Sequence, residues 1–241
     1  MRRMKAILLL TAALAFFAAP FFVSGFAGFD PALFPIPQEN PPVQPAGWAF
    51  AIWGVIYVWL VVHAGYGLLA KADDAGWDAP RWPLMASLAI GVTWLSVATF
   101  SPIWAEIEIF AMLALALWAL AVTPAKQPWL LSTPIALYAG WLTAASFAGL
   151  GITGAGFGLL WGPYGWAVAC ILGALLVGLT TVLLVRPNPA YAIALCWALI
   201  AIAVRNWGVN WDITLLAGFG GLTALAATAR SYWLSNLAHR A

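Results

Sequence analysis

Apolar runs of about 20 residues recur along this chain, separated by short segments rich in Pro, Gly or charge. Runs of that length match the hydrocarbon thickness of a bilayer. They predict helices at about 4–26, 47–70, 83–103, 105–123, 130–152, 165–185, 190–206 and 212–230. The fold class is all-α: a polytopic transmembrane bundle of about eight helices. Most connections are short, so sequential helices are expected to be antiparallel neighbours. The first run follows Met1-Arg-Arg-Met-Lys5 and has the layout of a signal peptide. Its apolar stretch is longer than a usual signal core and no small-x-small site closes it, so it reads as a retained helix.

Three connections stand out. Ala27 to Ala46 holds Pro31, Pro35, Pro37, Pro41, Pro42 and Pro45, which exclude a helix. It also carries Phe29, Leu33, Phe34, Ile36 and Val43, so it either caps the outer helix ends or lies among the headgroups. Lys71 to Trp82 reads as a solvated inner turn, and Thr153 to Pro163 as a flexible, glycine-rich outer one. Gly140, Ala144, Ala148 and Gly151 form a small-residue stripe on the fifth helix. Gly218, Gly221 and Ala224 form another on the eighth. Both suit close helix packing, with a share in a homodimer as one use.

Charge orients the bundle. Arg2, Arg3, Lys5, Lys71, Arg81, Lys126, Arg186, Arg230 and Arg240 fall on one side under this helix count, and Arg205 alone falls on the other. Cytoplasmic loops retain positive charge, so both termini are expected inside. The chain is 64% hydrophobic and 7% charged, with mean hydropathy +0.94, too little charge to coat a soluble domain. Net charge +2 without a basic stripe gives no footprint for nucleic acid. Cys170 and Cys196 lie in apolar runs and read as packing residues rather than metal ligands.

Nothing in the sequence assembles an enzyme. The acids sit in loops or at helix ends, and His63, the one His within a span, reads as a locally satisfied imidazole. One polar group collects at the outer face: Arg205 and Asn206 end the seventh helix, Asp212 begins the eighth, and Glu106 and Glu108 begin the fourth. Two readings stay open: an Arg205–Asp212 pair closing the loop, or Arg205 meeting an anionic ligand group under the proline-rich segment.

Of the 16 Trp, nine sit at or near helix ends, as a headgroup belt would. These are Trp77, Trp82, Trp104, Trp129, Trp161, Trp166, Trp207, Trp211 and Trp233. Trp53, Trp59, Trp94, Trp118, Trp141 and Trp197 lie within spans. On the second helix Phe50, Trp53 and Tyr57 share a face beneath the proline-rich segment. Trp94, Tyr138 and Trp141 lie at comparable depth. These rings either fill the bundle core or line a flat-walled pocket.

Pro45-Ala-Gly-Trp48-Ala-Phe-Ala-Ile-Trp53-Gly-Val-Ile-Tyr57 resembles the loop-to-second-helix signature of the tryptophan-rich sensory proteins, the TspO/MBR family related to the mitochondrial translocator protein. Gly91-Val-Thr-Trp94 keeps the Trp of that family's N-x-x-W and loses its Asn. Pro134-Ile-Ala-Leu-Tyr138-Ala-Gly-Trp141 resembles its fifth-helix motif. The resemblance divides the chain into a five-helix unit, 1–152, and a three-helix extension, 153–241. It implies a bacterial cytoplasmic-membrane protein that binds a planar hydrophobic ligand, tetrapyrrole or sterol-like, in a sensory or transport-linked role, with no resident cofactor or metal. The expected ligand-binding residues are Trp48, Phe50, Trp53, Tyr57, Trp94, Tyr138, Trp141 and Arg205. The alternative reading is a permease for small amphipathic solutes.

Overall fold

The computed structural model describes residues 1–23, 28–124 and 129–238, the last four by backbone alone. Ala27, Lys126, His239 and Arg240 lie outside the described residues. Among the described residues eight long helices form the bundle: α1 Arg2–Ala18, α2 Ile52–Leu69, α3 Arg81–Ala98, α4 Pro102–Val122, α5 Ser132–Gly156, α6 Pro163–Thr180, α7 Pro189–Asn206 and α8 Trp211–Ala238. Seven are long and apolar enough to cross a membrane. The other, α3, has the required length but opens on Arg81-Trp82-Pro83, which lowers its hydropathy.

Boundaries moved for local reasons. Pro20 turns the end of α1 into a 3-10 segment, Ala19–Phe22. A 3-10 segment, Gly47–Ala51, leads into α2. Ser101 caps α4 by accepting from the Trp104 N–H, with Pro102 at the first helical position, so the break between α3 and α4 falls at 99–101. The segment Thr153–Gly156 is helix rather than loop. Its glycines serve close approach: a side chain at Gly154 would strike Trp166, and one at Gly156 would strike Phe34.

Helix α5 is the axis of the bundle, packed by α4, α6 and α7 and touched by α2. Almost all of its residues are buried. Its small-residue stripe is used inside the chain. At Gly140 a β-carbon would collide with the Tyr191 carbonyl of α7, and Gly151 faces Val43 and Cys170. The hydroxyl of Thr143 donates to the Ala139 carbonyl and accepts from the Tyr191 hydroxyl at 2.7 Å, tying α5 to α7. Around this axis α1 packs on α2 and α3, α3 on α4, and α8 on α7 and α6.

The turn Lys71–Trp82 is not simply solvated. Asp74 caps a single helical turn, Ala75–Asp78, which buries Trp77 against His63 and Tyr66. The His63 imidazole bonds the Leu130 carbonyl at 2.7 Å through Nδ1, which therefore carries the proton. Arg81 is 2% exposed and donates to the carbonyls of Arg2, Gly67, Lys71 and Ala72. Asp78 completes this plug through Lys5 at 2.8 Å and Arg81 at 3.3 Å. Of the nine Trp expected in the belt, Trp77 and Trp166 are buried and the other seven are exposed.

Burial pushes the Asp78 pKa up, but Lys5 and Arg81 outweigh it and hold the carboxyl below its usual value. A carboxylate depressed on folding stabilises the protein above its unfolded pKa, and that contribution is lost as pH falls through the folded value. Asp78→Asn should therefore lower the melting temperature at pH 7. The gap from wild type should close as thermal unfolding is repeated toward pH 3.

Candidate functional site

The proline-rich segment is a strap laid across one end of the bundle. Its backbone is fastened at both sides: the Ile36 N–H donates to the Gly156 carbonyl at 2.9 Å, and the Ala46 N–H to the Ala201 carbonyl at 3.2 Å. Asn206 donates to the Pro42 carbonyl at 2.8 Å, and Arg205 donates to the Asn40 side chain. Phe34 and Val43 are buried beneath it. The strap is thus seated on α5 and α7, not spread into the headgroup region.

Under the strap lies a cavity of about 60 Å³. Phe29, Gln44 and Pro45 form its roof. Phe50 and Trp53 line it from the entry and first turn of α2, Trp94 from α3, and Trp141 from α5. Glu106 and Ile109 contribute the α4 wall, Ala144, Ala148 and Gly149 the α5 wall, and Ala198 and Ile202 the α7 wall. The rings brace one another edge to face: Trp53–Trp141 at 6.0 Å and Phe50–Trp141 at 6.0 Å between centroids. The Trp94 N–H is held by the Ala105 carbonyl at 3.0 Å, which fixes that indole across α3 and α4.

Four of the eight expected site residues, Phe50, Trp53, Trp94 and Trp141, therefore border one space. The other four lie elsewhere. Tyr57 stacks under Trp53 at 5.2 Å and packs on Phe16, behind the lining. Tyr138 is fully buried, and since the one Ser87 proton goes to the Met112 carbonyl, the phenol donates to Ser87 Oγ at 2.9 Å. Trp48 is 44% exposed and packs on Trp197, whose N–H donates to the Ala49 carbonyl. Arg205 holds the strap through Asn40. Among the described residues it forms no ion pair with Asp212, whose carboxylate instead accepts from the Ile213 N–H.

Phe16 explains the departure at Gly91. Its ring occupies the space a side chain at position 91 would need, beside Met112, and packs edge to face on Trp53, Tyr57 and Tyr138. An apolar ring from α1 stands where the resembled motif carries an amide.

Glu106 is the lining residue that sequence reasoning placed wrongly, in an outer polar group with Arg205. It is 8% exposed, one turn inside α4, and its carboxyl rests against Gly149, where any β-carbon would collide with it. Among the described residues Glu106 Oε2 and Trp141 Nε1 are buried polar atoms without a hydrogen-bond partner. Glycine at position 149 was the available signal. It sits one residue off the stripe Gly140–Ala144–Ala148–Gly151, and only the pairing of α4 with α5 gives it meaning.

The family whose description is TSPO-like protein matches residues 8–230. The match runs through all eight helices, including the three after residue 152. No curated protein and no solved structure matches the chain.

Gly91→Asn should destabilise the protein by about 1–3 kcal/mol, the cost of overpacking a filled core. Thermal unfolding should show the loss, and Phe16→Ala in the same chain should recover part of it.

Proposed function

The chain belongs to the TSPO-like protein family, and we propose that it binds a planar hydrophobic ligand, tetrapyrrole or sterol-like, under the strap, in a sensory or transport-linked role. The observation that supports this reading is the convergence of Phe50, Trp53, Trp94 and Trp141 on one cavity beneath the strap. Aromatic faces give a flat ligand stacking area at little conformational cost. The space is small: dry cavities that admit benzene measure about 150 Å³. A tetrapyrrole or sterol therefore enters only if the strap lifts from α5 and α7. The contacts to be broken are the hydrogen bonds of Ile36, Asn40, Pro42 and Ala46 and the packing of the buried Phe34 and Val43 side chains. In this reading α7 is both a wall of the site and the anchor of its lid, which gives the helices after residue 152 a part in binding.

Protoporphyrin titrated into the purified protein should quench its tryptophan fluorescence saturably. The Trp53→Leu, Trp141→Leu double variant should bind about tenfold or more weakly, as expected for loss of central aromatic contacts. Unchanged affinity in that variant would move the ligand elsewhere.

We place the chain in a bacterial cytoplasmic membrane with both termini inside, on the grounds of charge. Arg2, Lys5, Lys71 and Arg81 meet in the plug at one end, and Arg205, in the last turn of α7, holds the strap at the other. Single cysteines introduced at Lys71 and Val209, in a Cys170→Ala, Cys196→Ala background, should react with an impermeant maleimide from opposite faces. Labelling of Lys71→Cys from outside intact cells would reverse the orientation.

A further inference from the structure

The cavity has a polar pole. Glu106 and Trp141 reach it from different helices, α4 and α5, and both end in buried atoms without a hydrogen-bond partner among the described residues. Among the described residues Glu108 Oε2, Thr153 Oγ1 and Arg186 Nε are also without a partner, but none of them lines the cavity, and most other buried polar groups of the bundle are satisfied. The Tyr138 and Tyr191 hydroxyls, the Trp94 and Trp197 N–H groups and the Arg81 guanidinium all have partners. Leaving a carboxyl and an indole N–H orphaned in one lining costs stability, and among the described residues no other side chain of the cavity lining does so. The carboxyl is also admitted deliberately, since it fits only because position 149 is glycine. No Lys, Arg or His among the described residues lies within ion-pair distance of it. An intramembrane acid so placed reads as a ligand contact.

Building on the binding reading above, we propose that Glu106 is a specificity-determining residue: with Trp141 it selects ligands whose buried head donates a hydrogen bond, an ammonium or a hydroxyl, and rejects those that bury a carboxylate, so that a porphyrin enters only with its propionates away from Glu106. A hydroxyl gives its proton to Glu106 and accepts from Trp141 Nε1, satisfying both orphans. An ammonium bonds Glu106 and gains the faces of Trp53, Trp94 and Trp141. Where Glu106 is ionised, a carboxylate head places two acceptors and two like charges together and leaves Glu106 without a donor. The cavity as it stands has room for such a head, and the apolar body is accommodated only as the strap is displaced.

The test uses the full chain in detergent with four probes that share one phenylethyl body: 2-phenylethylamine, 2-phenylethanol, propylbenzene and 3-phenylpropionate. Calorimetric titration should show the amine or the alcohol binding about tenfold or more tightly than both propylbenzene and 3-phenylpropionate. Glu106→Leu should erase that preference. It should also keep or raise the melting temperature, because it replaces an unsatisfied buried carboxyl with an apolar group. A residue kept for structure alone would lower it. Glu106→Gln, which can donate, should gain affinity for 3-phenylpropionate. The same variant separates the two heads: the amine loses about tenfold if charge is read, and the alcohol holds. Equal binding of all four probes to wild type, or a preference that survives Glu106→Leu, overturns the inference. If that happens while porphyrin quenching persists, the binding reading stands without it. If neither porphyrin nor any probe binds, both fall.

Discussion

Close approach of backbones around α5 is the constraint on which the rest depends. Lipid is as apolar as a leucine side chain, so helices in a bilayer gain little by hiding apolar surface from it. Association instead needs short-range packing and internal hydrogen bonds. Helix α5 supplies both. Gly140 lets the Tyr191 backbone come into contact, and Thr143 then bonds the Tyr191 hydroxyl. One turn further along, Ala144 and Ala148 are too small to fill the space between α4 and α7, and the cavity opens there. The packing that holds the bundle and the space beneath the strap thus come from one run of small residues.

The two ends of the bundle solve the same problem differently. At one end, the Lys71–Trp82 turn is closed by Arg81, whose guanidinium saturates four backbone carbonyls and is neutralised by Asp78. A planar five-donor group suits this work, because exposed carbonyls at helix ends need donors. At the other end the strap is pinned by a handful of bonds, mostly to α7. Proline removes donors from the strap, so few of its backbone groups need partners when it is displaced. The result is one end locked by a buried guanidinium and one end held by a few hydrogen bonds and two buried apolar side chains, Phe34 and Val43, above the cavity.

Much of the candidate site was legible because helical spacing is a local property. Phe50 and Trp53 lie one turn apart, so one α2 face had to carry both, and that face had to follow the proline-rich segment. Tyr57 shares the face, yet it lies behind Trp53, stacked on that indole and packed edge to face on Phe16 of α1. Nothing in the α2 sequence announces Phe16. Arg205 was legible as a charge out of place that needed a partner, but not which one. Asp212 is near in sequence, whereas Asn40 is near only once the strap crosses α7.

By itself the sequence determined the number of long helices, their alternating direction, the segregation of positive charge and the presence of aromatic residues at one depth. Each follows from run length, loop length or composition, which the bilayer reads segment by segment. Only the tertiary structure decided which rings meet, that Glu106 turns inward against Gly149, and that α7 holds the strap. Hydropathy cannot encode these, because a lipid chain and a neighbouring helix are equally apolar. Which one a residue faces is settled by shape complementarity between helices far apart in the chain.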